Sequence, residues 1–234
     1  MTDTLASRAI IGVMTPAMNT VVQPELESMR PSGVTNQMQR FRLGGDSISD
    51  DLFEEAEKLM DCNPLALAIG LTTDAGAGGV DKLAQRCDAL SSHLGIPVCN
   101  ASIATQQGLQ AIGARRIAVI TPFNTEIDQQ VKTNIEAGGF EVIAIKGTAA
   151  PSLPEICATP LDQISALVHQ LADSDCDAIA QIGTALPVVG LIESLEAETG
   201  KPIVACNAAV YWQTLRAIGI TDPVAGFGRL LSEY

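Results

Sequence analysis

The sequence predicts an α/β protein of two pseudo-symmetric lobes, each a parallel sheet flanked by helices, with a cleft between them. Two observations carry this. Short apolar runs of strand type alternate with helically spaced segments along the whole chain. Two stretches, "GIPVCNASIATQQGLQAIG" (95–113) and "GKPIVACNAAVYWQTLRAIG" (200–219), also share G-x-P, a strand, and a helix ending L-x-A-I-G. An apolar strand ending in Ile-Gly precedes each, in "LALAIGLTT" and "DAIAQIGTALP". The shared order of elements marks an internal duplication.

Strands are expected at Ala9–Met14, Met38–Leu43, Leu65–Leu71, Pro97–Asn100, Arg116–Thr121, Phe140–Lys146, Ala178–Ile182 and Ile203–Cys206. Continuous apolar strands joined by helices make parallel sheets covered on both faces. In "DDLFEEAEKLM" Leu52, Phe53, Ala56 and Leu59 share a helix face. In "TPLDQISALVHQLADSD" Thr159 reads as the N-cap, and Leu161, Ile164, Leu167, Val168 and Leu171 as the buried side. The repeat divides the chain into residues 1–100 plus 208–234 as lobe one and 101–207 as lobe two. Similar halves facing each other set Gly70 and Gly183 across one cleft. Ligands of open parallel sheets sit outside the carboxyl ends of the strands, so the site belongs there.

Composition narrows the partners. The 234 residues carry 27 acidic and 14 basic side chains, a net charge of −13, which repels nucleic acid and anionic membrane. An anionic ligand would need local devices such as helix N-termini. Cys62, Cys87, Cys99, Cys157, Cys176 and Cys206 form no C-x-x-C, and two histidines supply no zinc spacing, so no metal or organic cofactor is indicated. Most of these cysteines lie in or beside apolar segments as small hydrophobes. No run approaches the ~18 apolar residues of a membrane span, and "MTDTLASRAIIGVMTP" reads as a first strand rather than a leader. A reduced, cytoplasmic protein is expected, with a homo-oligomer left open.

Four strand-end loops converge on the cleft in such a fold. In "MTPAMNTVVQPE" Asn19 and Thr20 either cap a helix or donate to a ligand. In "GLTTDAGAGG" Thr72 and Thr73 can form a carboxylate cradle with their backbone N–H groups. "TPFNTEID" offers Asn124 as a cap and Phe123 as a cleft wall, and "IGTALPVVG" repeats the glycine–threonine pattern at Gly183 and Thr184. Each hydroxyl or amide has an ordinary alternative as a helix cap. Asp74 is either a helix-start carboxylate or an acid–base group. His93 and His169 lie in helical patterns, and Tyr211 and Trp212 read as packing. The run "GAGG" (76–79) lacks the spacing of either phosphate-binding loop.

These motifs resemble the maleate cis-trans isomerases and arylmalonate decarboxylases. "GVMTPAMNTVVQPELESMRPSGVT" is similar to the isomerase opening P-x-x-N-T-x-x-x-P-E, here Pro16, Asn19, Thr20, Pro24 and Glu25. The stretches 95–123 and 200–220 and the tail "GFGRLL" (226–231) resemble the middle and end of both families. The resemblance spans nearly the whole chain and implies the aspartate/glutamate racemase superfamily, with a carboxylate or dicarboxylate substrate between two lobes. It also implies one cysteine after each central strand, the decarboxylases keeping only the second. On that resemblance Leu71 and Gly183 stand at the cysteine positions, Thr72 and Thr184 follow them, and Phe123 stands where many relatives have tyrosine.

A thiolate can act as base and nucleophile, whereas Leu71 and Gly183 can do neither. Three readings follow. One is a lyase or isomerase of a small carboxylic acid, working by cysteine-independent proton transfer with Asp74 as the acid–base group. Another has an unexpected thiol, such as Cys206, reaching the cleft. The third is a non-catalytic carboxylate-binding protein on the same fold.

Overall fold

A computed structural model of the chain describes residues 3–43, 49–73 and 78–234. Among them, eight strands form two four-stranded parallel sheets. The first sheet holds β1 (Ala9–Pro16), β2 (Val34–Phe41), β3 (Ala66–Ile69) and β4 (Val98–Asn100), in the order β2-β1-β3-β4. The second holds β5 (Arg116–Thr121), β6 (Glu141–Gly147), β7 (Ala178–Gln181) and β8 (Ile203–Ala205), in the order β6-β5-β7-β8. The two orders are the same pattern, as the duplication requires.

In the first half the connecting helices are α1 (Val22–Ser28), α2 (Ser49–Met60), α3 (Gly79–Leu94) and α4 (Ala101–Ala111). The second half has α5 (Thr125–Ala137), α6 (Leu153–Cys157), α7 (Leu161–Ala172), α8 (Ile192–Thr199), α9 (Cys206–Ala217) and α10 (Arg229–Glu233). A 3-10 turn at Val189–Leu191 leads into α8. The helices after the last strand of each sheet cross between the halves. α9 packs on β3 and β4, α4 packs on β7 and β8, and the two helices pack on each other. Small buried residues on them, Ala101 and Ala104 on α4 and Ala208 and Ala209 on α9, allow that close approach.

The central strands are buried throughout, with Ile11, Val13, Ile117, Val119 and Ile179 inaccessible to solvent. That is why they read as unbroken apolar runs. β2 is different. It begins at Val34, four residues before the expected Met38, and carries Thr35, Asn36, Gln37, Gln39 and Arg40. As a sheet edge it is partly exposed, so the apolar signal was too weak to mark its start. Thr159 is not the cap of α7. The N-cap is Pro160, and the Thr159 hydroxyl bonds the Glu155 carbonyl at 3.4 Å. Leu161, expected on the buried face, is 52% exposed in the first turn, while Ile164, Val168 and Leu171 are buried.

Gly12 on β1 shows how tightly the first lobe is filled. A Cβ there would lie 2.2 Å from Leu67 Cδ2 and 3.4 Å from Leu59 Cδ1, and Leu67 itself is fully buried with no room to swing outward. Gly12→Ala is therefore expected to lower stability by about 1–3 kcal/mol through overpacking. A lower urea midpoint at unchanged m would show it, and an unchanged midpoint would mean that the core yields there.

Candidate functional site

The carboxyl ends of β1, β3, β5 and β7 meet where the two sheets face each other. In the ladders Met14 pairs with Ile69, and Ile120 pairs with Gln181. Leu71 and Gly183 therefore occupy equivalent places, each two residues beyond its strand, and Thr72 and Thr184 follow in step. Thr184 sits at the seam. Its hydroxyl donates to the Gly70 carbonyl at 3.0 Å and accepts from Asn19 Nδ2 at 3.2 Å. The Asn19 Oδ1 atom accepts from the N–H groups of Val21 and Val22, at 2.9 and 3.1 Å, as α1 begins. Asn19 is thus both a helix cap and an interlobe tie, and Thr184 spends its proton within the protein. Arg40 holds the same loop from β2, donating to the Asn19 carbonyl at 2.7 Å.

A second tie lies behind the first. Glu25 on α1 accepts from the N–H groups of Val188 and Val189, at 2.8 and 2.9 Å, and from Asn207 Nδ2 at 2.7 Å. The same Asn207 nitrogen donates to the Thr184 carbonyl at 2.9 Å. Glu25 is half-buried as a residue, but its carboxylate end is enclosed, and no cation pairs with it among the described residues. Burial pushes its carboxyl up to about 7, against the opposing pull of the Asn207, Val189 and Val188 donors. Glu25 was visible in the P-x-x-N-T-x-x-x-P-E pattern, but its partners come from 163 to 182 residues away and nothing local announced them.

The other expected residues divide. Thr72, Thr73, Phe123 and Ile182 line one space together with residues of α4 and α5. Thr72 is buried, and its hydroxyl has no partner among the described residues. Phe123 forms a wall there and also approaches Gly183. Gly183 adopts φ +108°, and a Cβ on it would lie 2.5 Å from Pro122 Cδ. Leu71 packs against the first lobe's core cluster. Asn124 is a cap and accepts from the Ile127 N–H at 3.1 Å, while Thr20 is exposed. Asp74 lies outside the described residues.

The expectation of a thiol in the cleft fails at Cys206. It is inaccessible to solvent, burial pushes its thiol up to about 12, and its Sγ faces Gln181 Oε1 at 3.5 Å. Position at the start of α9, beneath the Thr184 loop, is what buries it. Cys87 is likewise buried and pushed up to about 12 by burial. The histidines are surface groups, His93 beside Glu57 at 2.8 Å and His169 beside Glu198 at 3.0 Å. Tyr211 is fully buried, and its hydroxyl donates to Asn36 Oδ1 at 3.0 Å. Among the described residues no group of three or more His, Cys, Asp or Glu is placed to hold a metal, and no helix is long and apolar enough to cross a membrane.

A family model described as arylmalonate decarboxylase matches residues 15–231. The chain belongs to the arylmalonate decarboxylase family. Within it, the chain is 23% identical over 239 residues to the maleate isomerase of Nocardia farcinica, covering 95% of each chain. It is 24% identical over 196 residues to the arylmalonate decarboxylase of Bordetella bronchiseptica, covering 81% of this chain and 80% of that one. The solved Nocardia farcinica maleate cis-trans isomerase bound to TRIS superposes with a TM-score of 0.86 at 22% identity, over 96% of this chain and 98% of the other. Unliganded arylmalonate decarboxylase gives 0.82 at 19% identity, over 97% and 100%. This family member shares their two-lobe fold.

The enclosed Glu25 carboxyl makes stability depend on pH. Below pH about 4.5 it is protonated whether the chain is folded or not. From there to about 7 the folded chain keeps a proton that the unfolded chain has released, so this contribution falls as pH rises and is lost above about 7. The change amounts to roughly 2–3 kcal/mol. Glu25→Gln removes the titration, so the variant should gain on the parent by about that amount between pH 5 and 8. Parallel stability curves for the two proteins would show that Glu25 does not titrate in this range.

Proposed function

We propose that this chain is a lyase or isomerase of small carboxylic acids that moves a proton at the carbon beside a carboxylate without using a cysteine thiolate. The observation that carries the reading is the contrast between Thr72 and the thiols. A buried hydroxyl without a partner among the described residues lines the space, whereas Cys206, at the start of α9, is inaccessible to solvent. The family's named activities support the reaction class. One solved form of the Nocardia enzyme carries a covalently bound succinylcysteine intermediate, and forming that bond requires a nucleophilic sulfur. Leu71 and Gly183, which we assign to the positions of the family's cysteines, offer none.

The chemistry left to this chain is carboxylate binding followed by proton transfer. Thr72 and Thr73, with their backbone N–H groups, hold the substrate carboxylate. Asp74, next in sequence, takes the proton from the adjacent carbon, and the C–H electron pair moves into an enediolate. The donors that held the carboxylate then stabilise the extra charge. Return of a proton to the opposite face of that carbon inverts it, and departure of a β-leaving group eliminates it. Gly183 leaves backbone rather than side chain facing the substrate.

Exchange in deuterated water, followed by NMR on maleate, malonates, hydroxy acids and amino acids, tests this directly. Deuterium should enter beside a carboxylate, survive treatment with a thiol alkylator, and be lost by at least tenfold in Asp74→Asn. Exchange abolished by the alkylator would return the chemistry to a cysteine. Acids that raise the melting temperature without exchanging would make the chain a carboxylate-binding protein.

A further inference from the structure

The repeat predicts that the two halves should treat their paired helices alike, and they do not. α1 packs directly on α9 beside the first sheet, with Val22 and Leu26 buried and Glu25 bonded to Asn207. The equivalent pair beside the second sheet, α5 and α4, stands apart. A narrow space lies between them and opens onto Thr72 and Thr73. Its walls are apolar side chains, chiefly Phe123, Ile127, Val131, Ile135 and Ile182. At the far side Gln106 on α4 donates to the Asn134 carbonyl on α5 at 3.3 Å, which closes the helix pair. None of the described residues lining the space is acidic or basic.

From this geometry we infer that the α4–α5 chamber receives the tail of a monocarboxylic acid, a tail that is apolar and uncharged, while the carboxylate stays at Thr72 and Thr73. The inference rests on the carboxylate reading of the threonines and goes further by naming the rest of the ligand. A second carboxylate at the tail end would lose its water and meet no cation, so the lining discriminates against diacids. Neutral amides from Gln106 and Gln130 can serve an uncharged polar group on the tail, such as a hydroxyl or carboxamide. Val131 and Ile127 then set tail length and width.

The test is a ladder of ligands on the intact protein, read by calorimetry. Straight-chain monocarboxylic acids from propanoate to octanoate are compared with diacids of equal length and with the corresponding neutral carboxamides. Affinity should rise about fourfold per added methylene until the chamber is full, and diacids should show no such rise. Val131→Phe should erase the gain for long acids and leave propanoate binding unchanged. Ile127→Trp, at a one-third exposed position on the rim, does the same with less demand on the core. Short acids that bind through Thr72 with no gain on lengthening would overturn the chamber while leaving the cradle intact. Carboxamides binding as well as acids, with Thr72→Val harmless, would overturn the cradle itself. A length gain that survives both chamber variants would place the tail elsewhere.

Discussion

Thr184 joins the two halves through one hydroxyl, which takes a proton from Asn19 and gives its own to the Gly70 carbonyl. All three groups come from strand-end loops that would otherwise carry unsatisfied polar atoms into a buried seam, and each such atom is costly when left alone. The same loop is held from behind, because Asn207 grips the Thr184 carbonyl and Glu25 grips both Asn207 and the next turn. These bonds fix the distance between the lobes and hence the width of the cleft. They also engage two residues with binding-type chemistry, Asn19 and Thr184, within the protein. Thr72, on the other side of the seam, makes no such side-chain bond among the described residues.

The duplicated halves have diverged where a site requires it. Thr15-Pro16 and Thr121-Pro122 end the two central strands in register, yet their surroundings differ. Thr121 donates to Asp128 on α5 and accepts from the Phe123 N–H at 3.2 Å. Thr15, seven residues before Val22 rather than an aspartate, is buried with its hydroxyl unpartnered. The apolar residue lies on α1, which packs on α9, and the carboxyl lies on α5, where it bonds its own strand end. A symmetric pair of lobes thereby acquires one asymmetric cleft.

The fold was legible because parallel strands buried on both faces must be apolar throughout, and all eight stand near their expected places. β2 escaped accurate placement because an edge strand tolerates polar residues, and Thr159 misled because Pro160 supplies a preset φ where α7 starts. The site was legible only as loops. Strand-end position could be read from Gly70, Thr72, Phe123 and Gly183, but the allegiance of each polar atom could not. Glu25 and Asn207 meet across 182 residues, and no periodicity encodes such a meeting. Sequence identified the candidates, and packing decided which of them were already committed.

Gly183 brings these points together. Its φ of +108° belongs to a region that side chains avoid, and Pro122 stands where a Cβ would go. A cysteine could not occupy this place without moving either the loop or the proline, and the loop is held by Asn19, Glu25 and Asn207. Glycine at this position is therefore a matter of backbone geometry as well as of the side chain it lacks. The carboxylate cradle we propose at Thr72 has no such dependence on sulfur, because its donors would be a hydroxyl and main-chain N–H groups at a strand end. On that proposal, enediolate chemistry draws on the donors' orientation and needs in addition only a base.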